Sequence, residues 1–237
     1  MANLITKQIP NSITCCNLIC GGIATYFAFG GNPSMSFLFI VLGAVFDFFD
    51  GMTARLLGVS SPIGKELDSL ADNVTFGLAP TAMVFHQLTL AEYPAALQPI
   101  QEYIPFVAFL ISAFSAMRLA KFNLDERQTT SFIGLPTPAN ALFWCSLLVG
   151  MSDYLATLQY TWIILIVLIF LSSIMLVAEI PMFALKFKNL SWKDNKVRYI
   201  FIVSCVPLLI IFRTTSFAVI IAWYVLLSAV TKNSSNK

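Results

Sequence analysis

Along this chain apolar residues run in long blocks instead of alternating with polar ones, and short polar, Gly or Pro interruptions divide the blocks into eight candidate helices. They extend approximately over residues 12–29, 34–57, 62–88, 103–123, 137–151, 158–185, 197–211 and 214–230. Each reaches or approaches the roughly 20 residues that a helix needs to cross a bilayer core. Only Arg213 separates the last two, so they form either a tight helical hairpin or one kinked segment, which would leave seven spans. The pattern predicts an all-α fold, a polytopic transmembrane helix bundle.

Composition agrees and removes other classes. Of the 237 residues 58% are hydrophobic and 11% charged, where a soluble domain carries about a quarter charged residues. So few charges cannot cover a water-facing surface, and 21 Phe would leave large exposed patches. Disorder requires low hydrophobicity, and nucleic-acid binding requires a dense basic face that a net charge of +2 does not supply. Cys15, Cys16, Cys20, Cys145 and Cys205 lie in apolar runs without CxxC spacing and read as small buried hydrophobes. No cleavable leader is expected, because the apolar run after Pro10 continues into further spans without a distinct small-residue cleavage site.

Charge sets the topology. With the N-terminus inside, every Lys and Arg except Arg213 falls in a cytoplasmic segment, whereas the 89–102 loop carries Glu92 and Glu102 and no basic residue. The split supports an even number of helices with both termini cytoplasmic, in a single integral membrane domain spanning 1–237. The basic segment 186–198 is expected to lie on anionic headgroups, or to serve as a plain positive-inside anchor.

Carboxylates inside spans are costly and usually mark a site facing the bundle interior. Here four cluster. Asp47 and Asp50 are three apart near the end of the second helix, and Asp68 and Asp72 are four apart in the third, so each pair shares a helix face. The short 56–63 connection makes the two helices antiparallel neighbours, which brings the carboxylates together just below the cytoplasmic interface. Such a set repels itself unless cations hold it, and all-oxygen donors suit two hard divalent ions, Mg²⁺ or Mn²⁺. Gly51 and Ala54 let a ligand approach the backbone, and the Arg55 fork suits phosphate. The alternative is that the carboxylates only pair with Arg55 and Lys65 at the membrane surface.

The pattern Asp47-x2-Asp50-Gly51-x2-Ala54-Arg55-x8-Gly64-x3-Asp68-x3-Asp72 resembles the signature of the CDP-alcohol phosphotransferase family at every fixed position. Around it, Pro10-Asn11-Ser12-Ile13-Thr14 with Asn17-Leu18, the 61–72 stretch, Phe76-Gly77-Leu78-Ala79-Pro80, Arg118-Leu119-Ala120-Lys121-Phe122-Asn123 and Gly134-Leu135-Pro136-Thr137-Pro138 are similar to its bacterial phosphatidylserine synthase branch. The resemblance covers about residues 8–150, a catalytic core, with additional transmembrane helices over 151–237. It implies transfer of a phosphatidyl group from CDP-diacylglycerol to an alcohol, here the hydroxyl of L-serine, with release of CMP. It also implies two divalent ions that clamp the diphosphate for in-line displacement. By the family pattern Asp47, Asp50 and Asp68 are metal ligands, and Asp72 is both a ligand and the base that takes the acceptor proton. Asn11, Thr14, Gly51, Ala54, Arg55 and Gly64 would contact the CDP-lipid. A homodimer in the cytoplasmic membrane, its active site facing the cytoplasm, is expected on the same ground.

A serine zwitterion needs a cation for its carboxylate, and Arg118 with Lys121 on one face of the fourth helix is the candidate; the alternative is a positive-inside anchor. Thr137 reads as an N-cap with Pro138 in the first turn. Glu179 is expected inside the sixth helix, snorkelling or paired with a lysine, and His86 lies far from the aspartates. Three competing readings keep their own tests. The same chemistry could use glycerol 3-phosphate or inositol phosphate, which requires more basic residues at the pocket. The donor could be an ether lipid. A cation transporter would require discontinuous helices and an internal repeat, and no convincing repeat is present.

Overall fold

A computed structural model describes residues 4–125, 132–182 and 191–235. Those residues form eight helical units. The first is α1 (Leu4–Phe29) and the second α2 (Pro33–Leu57). The third is α3 (Pro62–Asp72) and α4 (Ala79–Thr89), joined by a π-helical turn over Asn73–Leu78. α5 (Phe109–Leu124), α6 (Thr137–Thr157), α7 (Thr161–Val177), α8 (Trp192–Phe212) and α9 (Ser216–Ser235) complete the bundle. Four stretches are long and apolar enough to cross a membrane, the last of them Asn195–Val230. A turn at Arg213, with φ 47°, breaks that stretch, so α8 and α9 are the hairpin and not one kinked span. Trp223 Nε1 donates to Ser204 Oγ at 2.9 Å and ties the two arms together.

Local chemistry sets the first turns. Asn32 caps α2 by accepting from Met35 N at 3.0 Å, with Pro33 in the first helical position. Gly58, at φ 60°, ends α2, and Ser61 starts α3 by accepting from Gly64 N at 2.9 Å. Four residues thus reverse the chain, and α2 and α3 enter the same end of the bundle.

The three N-terminal units meet around Thr75. A Cβ built on Gly21 or Gly43 would collide with Thr75, so the helices approach closely only because neither residue has a side chain. The Thr75 hydroxyl donates to Asn17 O at 3.0 Å and closes the junction. On α2, Ser36, Ile40 and Gly43 are buried while Leu38, Val41, Leu42 and Val45 are exposed, the division expected of a helix with one face to protein and one to lipid. Deeper in the bundle Trp144, Leu148, Leu165 and Ile169 are fully or almost fully buried, and Trp144 Nε1 donates to Ser172 Oγ at 3.2 Å.

Two local expectations are corrected. The sixth helix ends at Val177, eight residues before its expected end, because Pro181 disfavours helix in the residue before it and the chain there pairs with another segment. Phe132 pairs with Met182 and Ile133 with Pro181 in a short antiparallel bridge, and Gly134 N donates to Ile180 O at 2.9 Å. Glu179 therefore lies beyond the helix and not within it. Thr137 opens α6 without making a side-chain cap, since its hydroxyl accepts from Arg118 instead. Residues 183–190 of the basic segment 186–198 lie outside the described residues.

Candidate active site

α2 and α3 run side by side as their short connection requires, and carboxylate oxygens of Asp47, Asp50 and Asp68 all lie within 4.8 Å of one another. Asp47 is also within hydrogen-bonding reach of both Asp68 and Asp72, so it joins the two helix faces. Asp72 is the deepest of the third-helix pair, 9% exposed, one turn further into the bundle than Asp68. The donor set of Asp47, Asp50 and Asp68 fits hard divalent cations: three carboxylates, all oxygen, with enough mutual repulsion that a cation is the natural way to hold them together, and Asp72 is not among them.

The first helix orients two of the four. Thr14 Oγ1 donates to Asp50 Oδ2 at 2.6 Å, the short distance of a charge-assisted bond. The same hydroxyl lies 3.0 Å from Pro10 O, but with one proton to give, the carboxylate is the stronger acceptor. Asn17 Nδ2 donates to Asp72 Oδ1 at 3.2 Å. Asn17, part of the resemblance though given no contact by it, lies three residues after Thr14 on the same face of α1.

Beyond Asp72 the backbone widens into the π-helical turn. Such turns occur often at functional sites because the extra residue re-aims the side chains around it. Asn73 begins this one. A Cβ on Gly77 would fall 2.7 Å from Asn73 Oδ1 and 3.1 Å from Ser115 Cβ, so the bare Gly77 backbone is what accommodates the amide.

On the outer side Asp50 and Asp68 line a cavity of about 340 Å³ between α1, α2 and α3. Asn11, Thr14, Gly51, Ala54 and Gly64 line it too. Arg55 does not line it. Its guanidinium stands over Gly51, with Nη1 3.5 Å from where a Cβ would be, at the edge of the same recess. Asn11 Oδ1 and Ser61 Oγ each lie 3.0 Å from the Cβ position of Gly64, so the wall is closed tightly at that point. Lys65, another lining residue, donates from Nζ to Asn123 O at 2.7 Å, and Asn123 Nδ2 donates to Ser69 Oγ at 2.8 Å. These bonds fasten α3 to the end of α5.

Arg118 comes at the cluster from α5. It is only 8% exposed, its Nη1 donates to Thr137 Oγ1 at 3.1 Å, and its Cζ sits 5.2 Å from the Phe122 ring centroid. An interfacial anchor would reach outward to headgroups, whereas this guanidinium is turned inward, where Asp72 acts on its charge. Arg118 and Lys121 line a second cavity of about 400 Å³ together with Asp125 and Glu179. Lys121 is exposed and does not line the first cavity, so the structure groups it with Arg118. His86 packs beside Gly31 at the α1–α2 turn, the other end of both helices from the aspartates.

A family model described as CDP-alcohol phosphatidyltransferase matches residues 7–182. The chain is 40% identical over 136 residues to the CDP-diacylglycerol--serine O-phosphatidyltransferase of Bacillus subtilis (strain 168), covering 56% of this chain and 70% of that protein. It is 32% identical over 181 residues to the protein of the same name from Mycobacterium leprae (strain TN), covering 73% and 57% of the two chains. With the namesake from Methanocaldococcus jannaschii it shares 36% over 142 residues, 60% of this chain and 59% of that one. The chain thus spans 70% of the first relative and less than two thirds of the other two.

Proposed function

The chain belongs to the CDP-alcohol phosphatidyltransferase family, and from that premise we propose that it transfers the phosphatidyl group of CDP-diacylglycerol to the hydroxyl of L-serine, forming phosphatidylserine and CMP. One observation carries the reading beyond the family: besides the recess that Asp50 and Asp68 line, the protein has a second recess of different chemistry at the end of α5. That second recess holds Arg118, the charged neighbour of Asp72. The printed names of the relatives point to the same donor and acceptor.

In this reading the recess of α1, α2 and α3 takes the CDP end of the donor. Gly51, Ala54 and Gly64 let the nucleotide lie against backbone, Asn11 and Thr14 flank it, and Arg55 and Lys65 face phosphate oxygens. A pair of divalent ions, Mg²⁺ or Mn²⁺, held by Asp47, Asp50, Asp68 and Asp72, would neutralise charge on the diphosphate. Thr14 fixes Asp50 and Asn17 fixes Asp72, so the carboxylates keep their places as the substrate enters. Asp72 takes the proton of the serine hydroxyl as that oxygen bonds to the phosphorus and the bond to CMP breaks. Arg118, oriented by Thr137 and Phe122, grips the serine carboxylate with its planar fork. The recesses open toward the cytoplasmic face of the inner membrane in this reading, and the working unit is a homodimer.

The test is CMP release from CDP-diacylglycerol by purified protein with Mg²⁺ or Mn²⁺, comparing L-serine, glycerol 3-phosphate, inositol phosphate and no acceptor. Release that depends on serine and is lost in Asp72→Asn supports the proposal. Release with a phosphorylated acceptor alone would discard the acceptor and keep the donor chemistry. No release under any condition would sink both.

A further inference from the structure

Resting on the reading that serine is the acceptor, we infer that Glu179 binds the serine ammonium group and so selects a zwitterion over a phosphorylated acceptor. Two walls build this recess. Arg118, Lys121 and Asp125 come from α5 and its exit, and Glu179 comes from the exit of α7. Lys121 and Asp125 are four residues apart on one wall, whereas Glu179 enters from the other.

The backbone holds Glu179 in place. Ala178 N donates to Ile174 O at 2.9 Å as the helix ends, and Gly134 N donates to Ile180 O at 2.9 Å. Glu179 sits between these two anchors. The second anchor depends on Gly134, whose φ is 75° and whose Cβ position is 2.7 Å from Leu176 O. No other residue could let the 132–134 strand approach the end of α7 so closely. An acidic side chain is thereby fixed at the rim of a recess whose floor is a buried arginine.

Depth orders the contacts. Arg118 lies inside, within the electrostatic reach of Asp72, and Glu179 is exposed at the rim. Serine lying with its carboxylate on Arg118 and its hydroxyl toward Asp72 leaves its ammonium for the outer lining, where Glu179 is. Charge gives the selectivity. Among the described lining residues both signs are present, Arg118 and Lys121 beside Asp125 and Glu179, a mixed set that suits a zwitterion. A phosphomonoester brings about two negative charges, and two carboxylates in the lining oppose it.

The experiment compares wild-type protein with Glu179→Gln and Glu179→Asp, each with L-serine and with 3-hydroxypropionate, which keeps the hydroxyl and carboxylate but lacks the ammonium. Losing a hydrogen bond between charged groups should raise the serine KM of Glu179→Gln roughly 10- to 100-fold. Its kcat should fall by less than its KM rises, and the wild-type preference for serine over 3-hydroxypropionate should collapse. Glu179→Asp, which keeps the charge on a shorter arm, should recover most of the preference and shows that the loss is not one of folding. A serine-dependent wild type whose preference survives in Glu179→Gln overturns this inference alone. A wild type that releases CMP without any dependence on serine overturns the acceptor reading as well.

Discussion

The chain builds its two recesses differently, one lined by Asp50 and Asp68 and the other at the end of α5. The one between α1, α2 and α3 is assembled largely from a 26-residue stretch, Asp47 to Asp72, that folds back on itself through a four-residue turn. The one beside α5 takes Arg118 and Lys121 from one helix and Glu179 from a strap almost 60 residues later. In the first, the short α2–α3 connection brings most of the groups together, and α1 adds Asn11 and Thr14. In the second, placement depends on a tertiary contact, the bridge between Ile133 and Pro181, and on a glycine that lets it form. In the proposed reading, donor contacts written in a compact motif and acceptor contacts written on separate elements could change one without the other.

The largest expected effect is at Asp72, the base of the proposed reaction, which lines neither recess. Asp72→Asn keeps the shape and the Asn17 contact but removes the base, and a positioned general base contributes roughly 10²–10⁴-fold in rate. The expected outcome is a loss of kcat of that size with every acceptor. If the mutant lost activity with serine but kept it with another alcohol, Asp72 would belong to the acceptor side only.

Next in size is Arg118→Ala, which should raise the serine KM roughly 10- to 100-fold through loss of a charge-assisted bidentate contact. The KM for CDP-diacylglycerol should not move. An equal rise for donor and acceptor would erase the distinction between the recesses. Gly64→Ala tests the other side with a smaller change. Its new methyl group would press on Asn11 Oδ1 and Ser61 Oγ, both 3.0 Å away, so the donor KM should rise several-fold while the serine KM stays constant. Titrating each substrate at a saturating level of the other reads both variants.

The same contrast explains what the residues disclosed in advance. The donor side was legible because helical spacing of three and four fixes Asp47 with Asp50 and Asp68 with Asp72, and a short connection fixes the helices. Asn11, Thr14, Gly51, Ala54 and Gly64 all line its recess. The eight helical blocks were legible too, since apolar runs report span number directly. What escaped depends on contacts distant in sequence. Thr137 has the residue type and position of an N-cap, and only the fold shows that a buried arginine claims its hydroxyl. Glu179 continues an apolar run, and only the pairing of 132–133 with 181–182 shows where the helix stops. The π-helical turn after Asp72 left one trace, a polar Asn73 in a position that otherwise calls for an apolar residue.

The smallest predicted effect is at Thr14, and it separates a ligand from the residue that orients it. Thr14→Val preserves side-chain shape and removes the 2.6 Å bond to Asp50 while leaving all four carboxylates in place. A net hydrogen bond is worth about 1 kcal/mol in a folded protein, and side-chain bonds between helices in membranes average nearer 0.6 kcal/mol, or roughly threefold. The charge on Asp50 favours the upper value, so the Mn²⁺ concentration at half-maximal activity should rise between about threefold and tenfold, with kcat at saturating metal little changed. The KM for serine should stay where it is, because Thr14 stands on the donor side of the cluster. A metal requirement that did not shift would mean that Asp50 holds its position without the hydroxyl. A shift in the serine KM instead would mean that a disturbance at Asp50 reaches the second recess, and that the two recesses are coupled.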